Sequence, residues 1–155
     1  MVEKGENFYQ YQRKRLFILL GWGLGSTFAG LGALFTKKKS WRHFWLQCLS
    51  WGAIDALIAL FGLRMQTEKL KDYTPSAPNA PLPETVKQDI TRYHQVLFVN
   101  VFLDFGYILS GEIIRHKGKT SERRGMGYGF IVQGLFLFIY DLLLDLEIRR
   151  RWLKR

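Results

Sequence analysis

The chain has 155 residues, 48% of them hydrophobic and 23% charged, with a formal net charge of +10. That length suits one domain, and the placement of charge argues against a soluble one. The charged residues gather in a few clusters and leave runs of about 20 residues with no wet face, as a lipid solvent requires. A basic chain with 15% aromatics could suit nucleic acid, but the basic residues sit at the ends of apolar runs, where membrane anchors belong.

Residues 1–15 are polar and basic, with Phe8, Tyr9 and Tyr11 expected as interfacial aromatics. The first apolar run covers 16–35. It is long for the hydrophobic part of a signal peptide, and Lys37, Lys38 and Lys39 follow it instead of a small-residue cleavage site, so a retained helix is expected. Gly21 and Gly25 stand four apart, and Ala29 and Ala33 extend the line. Such a stripe lets a second helix, of this bundle or of another protomer, come close in lipid. A basic turn leads past Trp41 and Trp45 into a second span over 44–63. There Cys48, Gly52, Asp55, Ala59 and Gly62 keep to one face. Cys48 is the single cysteine, so it forms no intrachain disulfide, and it reads as a packing residue.

The connection 64–95 holds all four prolines, within 74–83. An extended linker is expected there, with an amphipathic helical lead-in after Pro83. The third span covers 96–114 and stacks Asn100, Asp104, Tyr107 and Gly111 on one face. The fourth covers 126–146, begins at Gly125, Gly127 and Gly129, and carries Gln133, Tyr140 and Asp141. Those glycines suit close packing better than anion binding. Asp145 and Glu147, beside Arg149 and Arg150, read as an interfacial charge cluster. The expected fold is therefore all-α: an integral membrane four-helix bundle of two transmembrane hairpins joined by a proline-rich linker.

Four spans put both termini and the linker on one side. That side holds fourteen Lys and Arg, against nine in the two short turns, so the termini are expected in the cytoplasm.

The chemistry lies in the ionisable and amide groups inside the spans: Asp55, Asn100, Asp104, Gln133 and Asp141. Burying such groups in hydrocarbon is expensive, so they should face the bundle interior and find partners. At 1.5 Å per residue their depths fit one polar seam running from mid-bilayer towards the termini side. No Lys or Arg shares that depth, which favours neutral carboxyls. Hydroxyls of Tyr107 or Tyr140 are available to them. Two readings follow. The seam binds a proton, a cation or a small ligand, or it only glues the helices together in a structural or partner-binding subunit.

No zinc spacing, phosphate loop or nucleophile set is present, so neither an enzyme nor a cofactor is expected. His43 and His116 would share a side, as a bis-histidine haem needs, but each is also an ordinary interfacial residue. The expected partners are anionic lipid headgroups at the basic loops and a second copy of the chain.

The second half, about 96–145, resembles a family of small bacterial membrane proteins catalogued as a domain of unknown function. The resemblance rests on Asn100, Asp104, Tyr107 and Gly111, then on Gly127, Gly129, Gln133, Gly134, Leu137 and Asp141. In the first half, Trp51 to Asp55 is similar, with Asp55 where the family pattern implies Asn. The resemblance implies a four-helix membrane protein, and the expected location is a bacterial inner membrane. It implies no activity.

Overall fold

The computed structural model describes residues 8–73 and 82–153. Most of the linker expected at 74–83 lies outside the described residues, as do the first residues of the polar N-terminal segment and the end of the basic tail. The described residues form four α-helices: α1 (Phe8–Gly30), α2 (Lys39–Asp72), α3 (Glu84–Lys117) and α4 (Ser121–Ile148). A 3-10 turn, Leu31–Leu34, extends α1, and a π-helical turn, Arg149–Leu153, extends α4. No strand occurs among the described residues.

All four helices are long and apolar enough to cross a membrane. Their outward faces carry Phe28, Leu57, Phe61, Phe102, Ile139 and Leu143, each more than half exposed. Water would not tolerate that surface, whereas hydrocarbon is as apolar as the side chains themselves. The chain is a multi-pass membrane protein built as a four-helix bundle.

α1 packs on α2, α3 packs on α4, and α2 meets α4 across the middle. Small residues allow each approach. A Cβ on Gly23 would lie 2.5 Å from the Ala56 nitrogen, and one on Gly52 would lie 2.6 Å from the Gly23 oxygen and the Thr27 nitrogen. Further along, Gly30 sits directly against Leu49. In α4, Gly125 and Gly129 stand one turn apart and rest on Ser40 and Gln47 of α2, while Gly127 faces the other way onto Gly111 and Arg115 of α3. The three glycines are thus divided between two neighbours by helical phase.

The stripe expected at Gly21 and Gly25 does not face this bundle. Neither glycine has an atom within reach of an added Cβ, and both are exposed. The face that meets α2 is Gly23, Thr27 and Gly30 instead.

The helices also overrun their apolar runs on the termini side. There Phe8, Tyr9, Tyr11, Val86, Ile90, Leu97, Leu144 and Ile148 form a buried core, flanked by Tyr73, Tyr93 and Trp152. Phe8, Tyr9 and Tyr11 are therefore core residues and not an interfacial belt, at 3%, 5% and 2% exposure. Asp89 of α3 joins three helices here. It accepts a hydrogen bond from the Tyr9 hydroxyl at 2.9 Å and pairs with Lys69 of α2 at 2.6 Å. α3 begins at Glu84, with Pro83 in the capping position that its missing N–H and fixed φ suit.

Candidate intramembrane polar site

The phase of each helix decides which polar groups meet. Asp55 lies on the α2 face that also carries Cys48, Gly52 and Ala59, all buried. Asp104 shares the buried face of α3 with Leu97 and Gly111. Asp141 shares that of α4 with Gln133, Gly134, Leu144 and Asp145. Because α2 and α4 touch and α3 lies on α4, the three carboxyl groups come within electrostatic reach of one another: Asp55 of Asp141, Asp104 of Asp55, and Asp141 of Asp104. They are 3%, 4% and 7% exposed. Asn100, one turn from Asp104, lies within electrostatic reach of the Asp141 carboxyl. The Oδ2 atoms of Asp55 and Asp104 are buried with no hydrogen-bond partner. An orphaned carboxyl oxygen is among the costliest things a bundle can bury.

Gln133 is a different case. Its Oε1 accepts from the indole Nε1 of Trp22 at 2.9 Å, and its Nε2 donates to the Ser26 hydroxyl at 3.4 Å. Both partners are on α1, and Trp22 also stacks on Phe136 with ring centres 3.9 Å apart. Gln133 therefore joins α4 to α1, some 12 Å along α4 from Asp141. Replacing it with Leu should orphan the half-buried indole donor and lower stability by about 0.6–2 kcal/mol. Unfolding of purified protein in mixed micelles would measure this, and an unchanged midpoint would refute it.

The tyrosines do not serve the acids as expected. The Tyr107 ring packs edge-on against Trp51, 5.0 Å away, and tilted against Phe130 at 6.4 Å. The Tyr140 hydroxyl donates to the carbonyl of Arg15 at 2.8 Å.

Asp145 pairs with Arg149, as the expected charge cluster implies, but it is buried and also reaches across the bundle. It is 4% exposed, with His94 Nδ1 at 2.5 Å from its Oδ1 and Arg149 Nε at 2.9 Å from its Oδ2. It stands one helical turn from Asp141 on the same face, a signal readable in the i, i+4 spacing. The seam so continues from Asp55 and Asp104 through Asp141 to a buried, paired carboxylate on the termini side. Glu147 faces α1 instead. It accepts from the Tyr11 hydroxyl at 2.5 Å and from Arg15 Nη2 at 2.7 Å.

Among the described residues no three His, Cys, Asp or Glu are grouped to hold a metal ion. A crevice between Trp51, Tyr107, Phe130, Gln133, Gly134 and Leu137 is too narrow for a water molecule. His43, one half of the conceivable haem pair, has its Nδ1 3.0 Å from the carbonyl of Lys39, one turn back in its own helix.

Two hairpins crossing at glycines, with buried acids between them, define a multi-pass membrane protein with an internal polar site. Residues 18–142 match the family model described as "Family of unknown function (DUF6992)", and the chain belongs to that family. No curated protein and no solved structure matches it.

Proposed function

We propose that Asp55, Asp104 and Asp141 form a proton-binding site inside the membrane, and that the protein acts through its protonation and not as an enzyme. The observation that carries this reading is the pair of buried, unpartnered oxygens, Asp55 Oδ2 and Asp104 Oδ2, beside a third acid. Groups selected only to glue helices together end up paired, as Gln133 is. Acids left unpaired in hydrocarbon are held at a cost that function must justify. A proton fits better than a divalent cation or a bulky ligand, because the acids stand in tight packing beside Asn100 and lack the grouping a metal needs. The Asp145–His94 pair ends the seam on the termini side. With the termini in the cytoplasm, as the distribution of Lys and Arg favours, that end faces the cytoplasm of a bacterial inner membrane.

The test is difference infrared spectroscopy of the protein in lipid during a pH titration. Carboxylic C=O bands should appear on acidification, and Asp104→Asn should remove part of them while the amide bands stay unchanged. Because the exposed acids also protonate on acidification, a carboxylic difference spectrum that is unchanged by Asp104→Asn would overturn the proposal. The competing reading, that the whole seam is structural, is favoured locally by the satisfied bonds of Gln133 and predicts that outcome.

A further inference from the structure

The α1–α2 turn and the α3–α4 turn form one surface at the end of the bundle away from the termini. Gly125 and Gly129 of α4 rest on Ser40 and Gln47 of α2, and Lys39 pairs with Glu122 across the two turns at 3.1 Å. What this surface gathers is positive charge. Lys37, Lys38 and Arg42 belong to the first turn and Lys117, Lys119 and Arg123 to the second, all of them exposed. Within 36–44 and 112–126 the chain has two acids, Glu112 and Glu122. Both are taken, Glu122 by Lys39 and Glu112 by Arg115. The six cations therefore have no carboxylate left on their own surface.

The termini side holds more Lys and Arg, but many of them are tied to acids. Arg64 meets Glu68, Lys69 meets Asp89, Lys87 meets Glu84 and Arg149 meets Asp145. A count of basic residues does not see this difference, because pairing makes it.

Depth identifies the partner. Phe35, 86% exposed, stands two residues before Lys37, and Ile113, 54% exposed, stands four before Lys117. At most about 7 Å of chain separates the first pair, and about 6 Å of helix the second. The cations thus begin just past side chains that face hydrocarbon. Trp41, 50% exposed, lies at the same level with the Trp45 ring 6.4 Å away, and indoles favour the membrane interface. Long basic side chains at that depth end among lipid phosphates. An acidic protein or a nucleic acid would have to displace the headgroups to reach them.

We propose that the surface built by the two turns selects anionic phospholipids in its leaflet through Lys37, Lys38, Arg42, Lys117, Lys119 and Arg123, and does so more strongly than the paired cations of the termini side. The inference does not depend on the proton reading.

The full chain in phosphatidylcholine vesicles would be given spin-labelled phosphatidylglycerol or spin-labelled phosphatidylcholine, and the share of each held motionally restricted at the protein would be read by electron paramagnetic resonance. Phosphatidylglycerol should associate about fivefold more strongly for each cation it engages. The preference should shrink between 0.1 M and 1 M salt, as the screening length falls from about 10 Å to about 3 Å. Inorganic phosphate should lower it no more than chloride of equal ionic strength. Replacing all six cations with Gln should remove most of the preference, and their exposure spares the bundle packing, which unchanged circular dichroism would verify. Lys37→Gln with Lys38→Gln should cost more preference than Arg64→Gln with Lys87→Gln, where each cation already has an acid. Equal association of the two lipids would overturn the proposal. So would a preference that survives the six substitutions, one that free phosphate abolishes, or one that the Arg64 and Lys87 substitutions reduce as much as those at Lys37 and Lys38.

Discussion

Replacing Gly52 with Leu should destroy the α1–α2 hairpin, while Gly25→Leu, on the same pair of helices, should leave it standing. A Cβ at residue 52 would lie 2.6 Å from the Gly23 oxygen and the Thr27 nitrogen and 2.7 Å from the Ser26 Cβ. Two of these are backbone atoms, which cannot swing aside. The helices must separate, and the face where Gly23 meets Ala56 opens with them. In lipid no hydrophobic force draws the helices back together, because packing itself supplies the association. The expected loss is about 3 kcal/mol or more, at the top of the range for overpacking. At Gly25 nothing lies within 4 Å of the new carbon, and a lipid-facing Leu is welcome. Reversible unfolding of both variants in mixed micelles decides the matter. Equal stability would show that the glycine crossing is not what holds the hairpin.

That contrast also marks where sequence reasoning ran out. The four spans were legible because hydrocarbon demands about 20 apolar residues in a row and nothing else in a chain of this size produces them. The glycine phase was not. The first span interleaves several glycines, so more than one line of small residues can be drawn along it, and Gly21 with Gly25 has the familiar spacing. The true face is chosen by what α2 offers opposite, Gly52 and Ala56, and a single helix does not carry that information. The termini-side core failed for a related reason. Phe8, Tyr9, Tyr11, Val86 and Ile90 lie scattered among charges in two distant segments, and only assembly brings them together.

The acidic site was more legible than the packing around it. Asp55, Asp104 and Asp141 stood out because an ionisable residue within a span has few reasons to be there, and the depth argument placed them at compatible levels. For Asp145 the local partner Arg149 was legible in the sequence, and the partner across the bundle, His94, was not. Trp22 and Ser26 gave no sign of their role, since either residue is common at a helix interface. Their bonds to Gln133 separate the seam into a satisfied part at α1 and an unsatisfied part between α2, α3 and α4.

The unsatisfied part makes a prediction of unusual sign: Asp55→Asn should stabilise the protein. Most substitutions of buried polar groups destabilise, because they orphan a partner. Asp55 Oδ2 has no partner to orphan, and its carboxyl lies within electrostatic reach of Asp141 and Asp104. An amide of the same shape removes one of three mutually repelling acids, keeps the volume, and adds an N–H donor that a neighbouring carboxylate can accept. The gain should be about 1–3 kcal/mol, within the range found when buried ion pairs are replaced by well-packed apolar residues of similar volume. It should be largest in alkaline solution, where the remaining acids are ionised. In acid it should shrink, because a protonated carboxyl and an amide are then near equals. The same variant should lose part of the infrared carboxylic signal, so stability rises as the proposed function falls, the usual relation at a site held against its own folding preference. A thermal-unfolding series across pH in lipid nanodiscs reads the sign directly. If Asp55→Asn lowers the midpoint at every pH, the carboxyl is a bonded structural group and the acidic seam belongs with Gln133 as part of the scaffold.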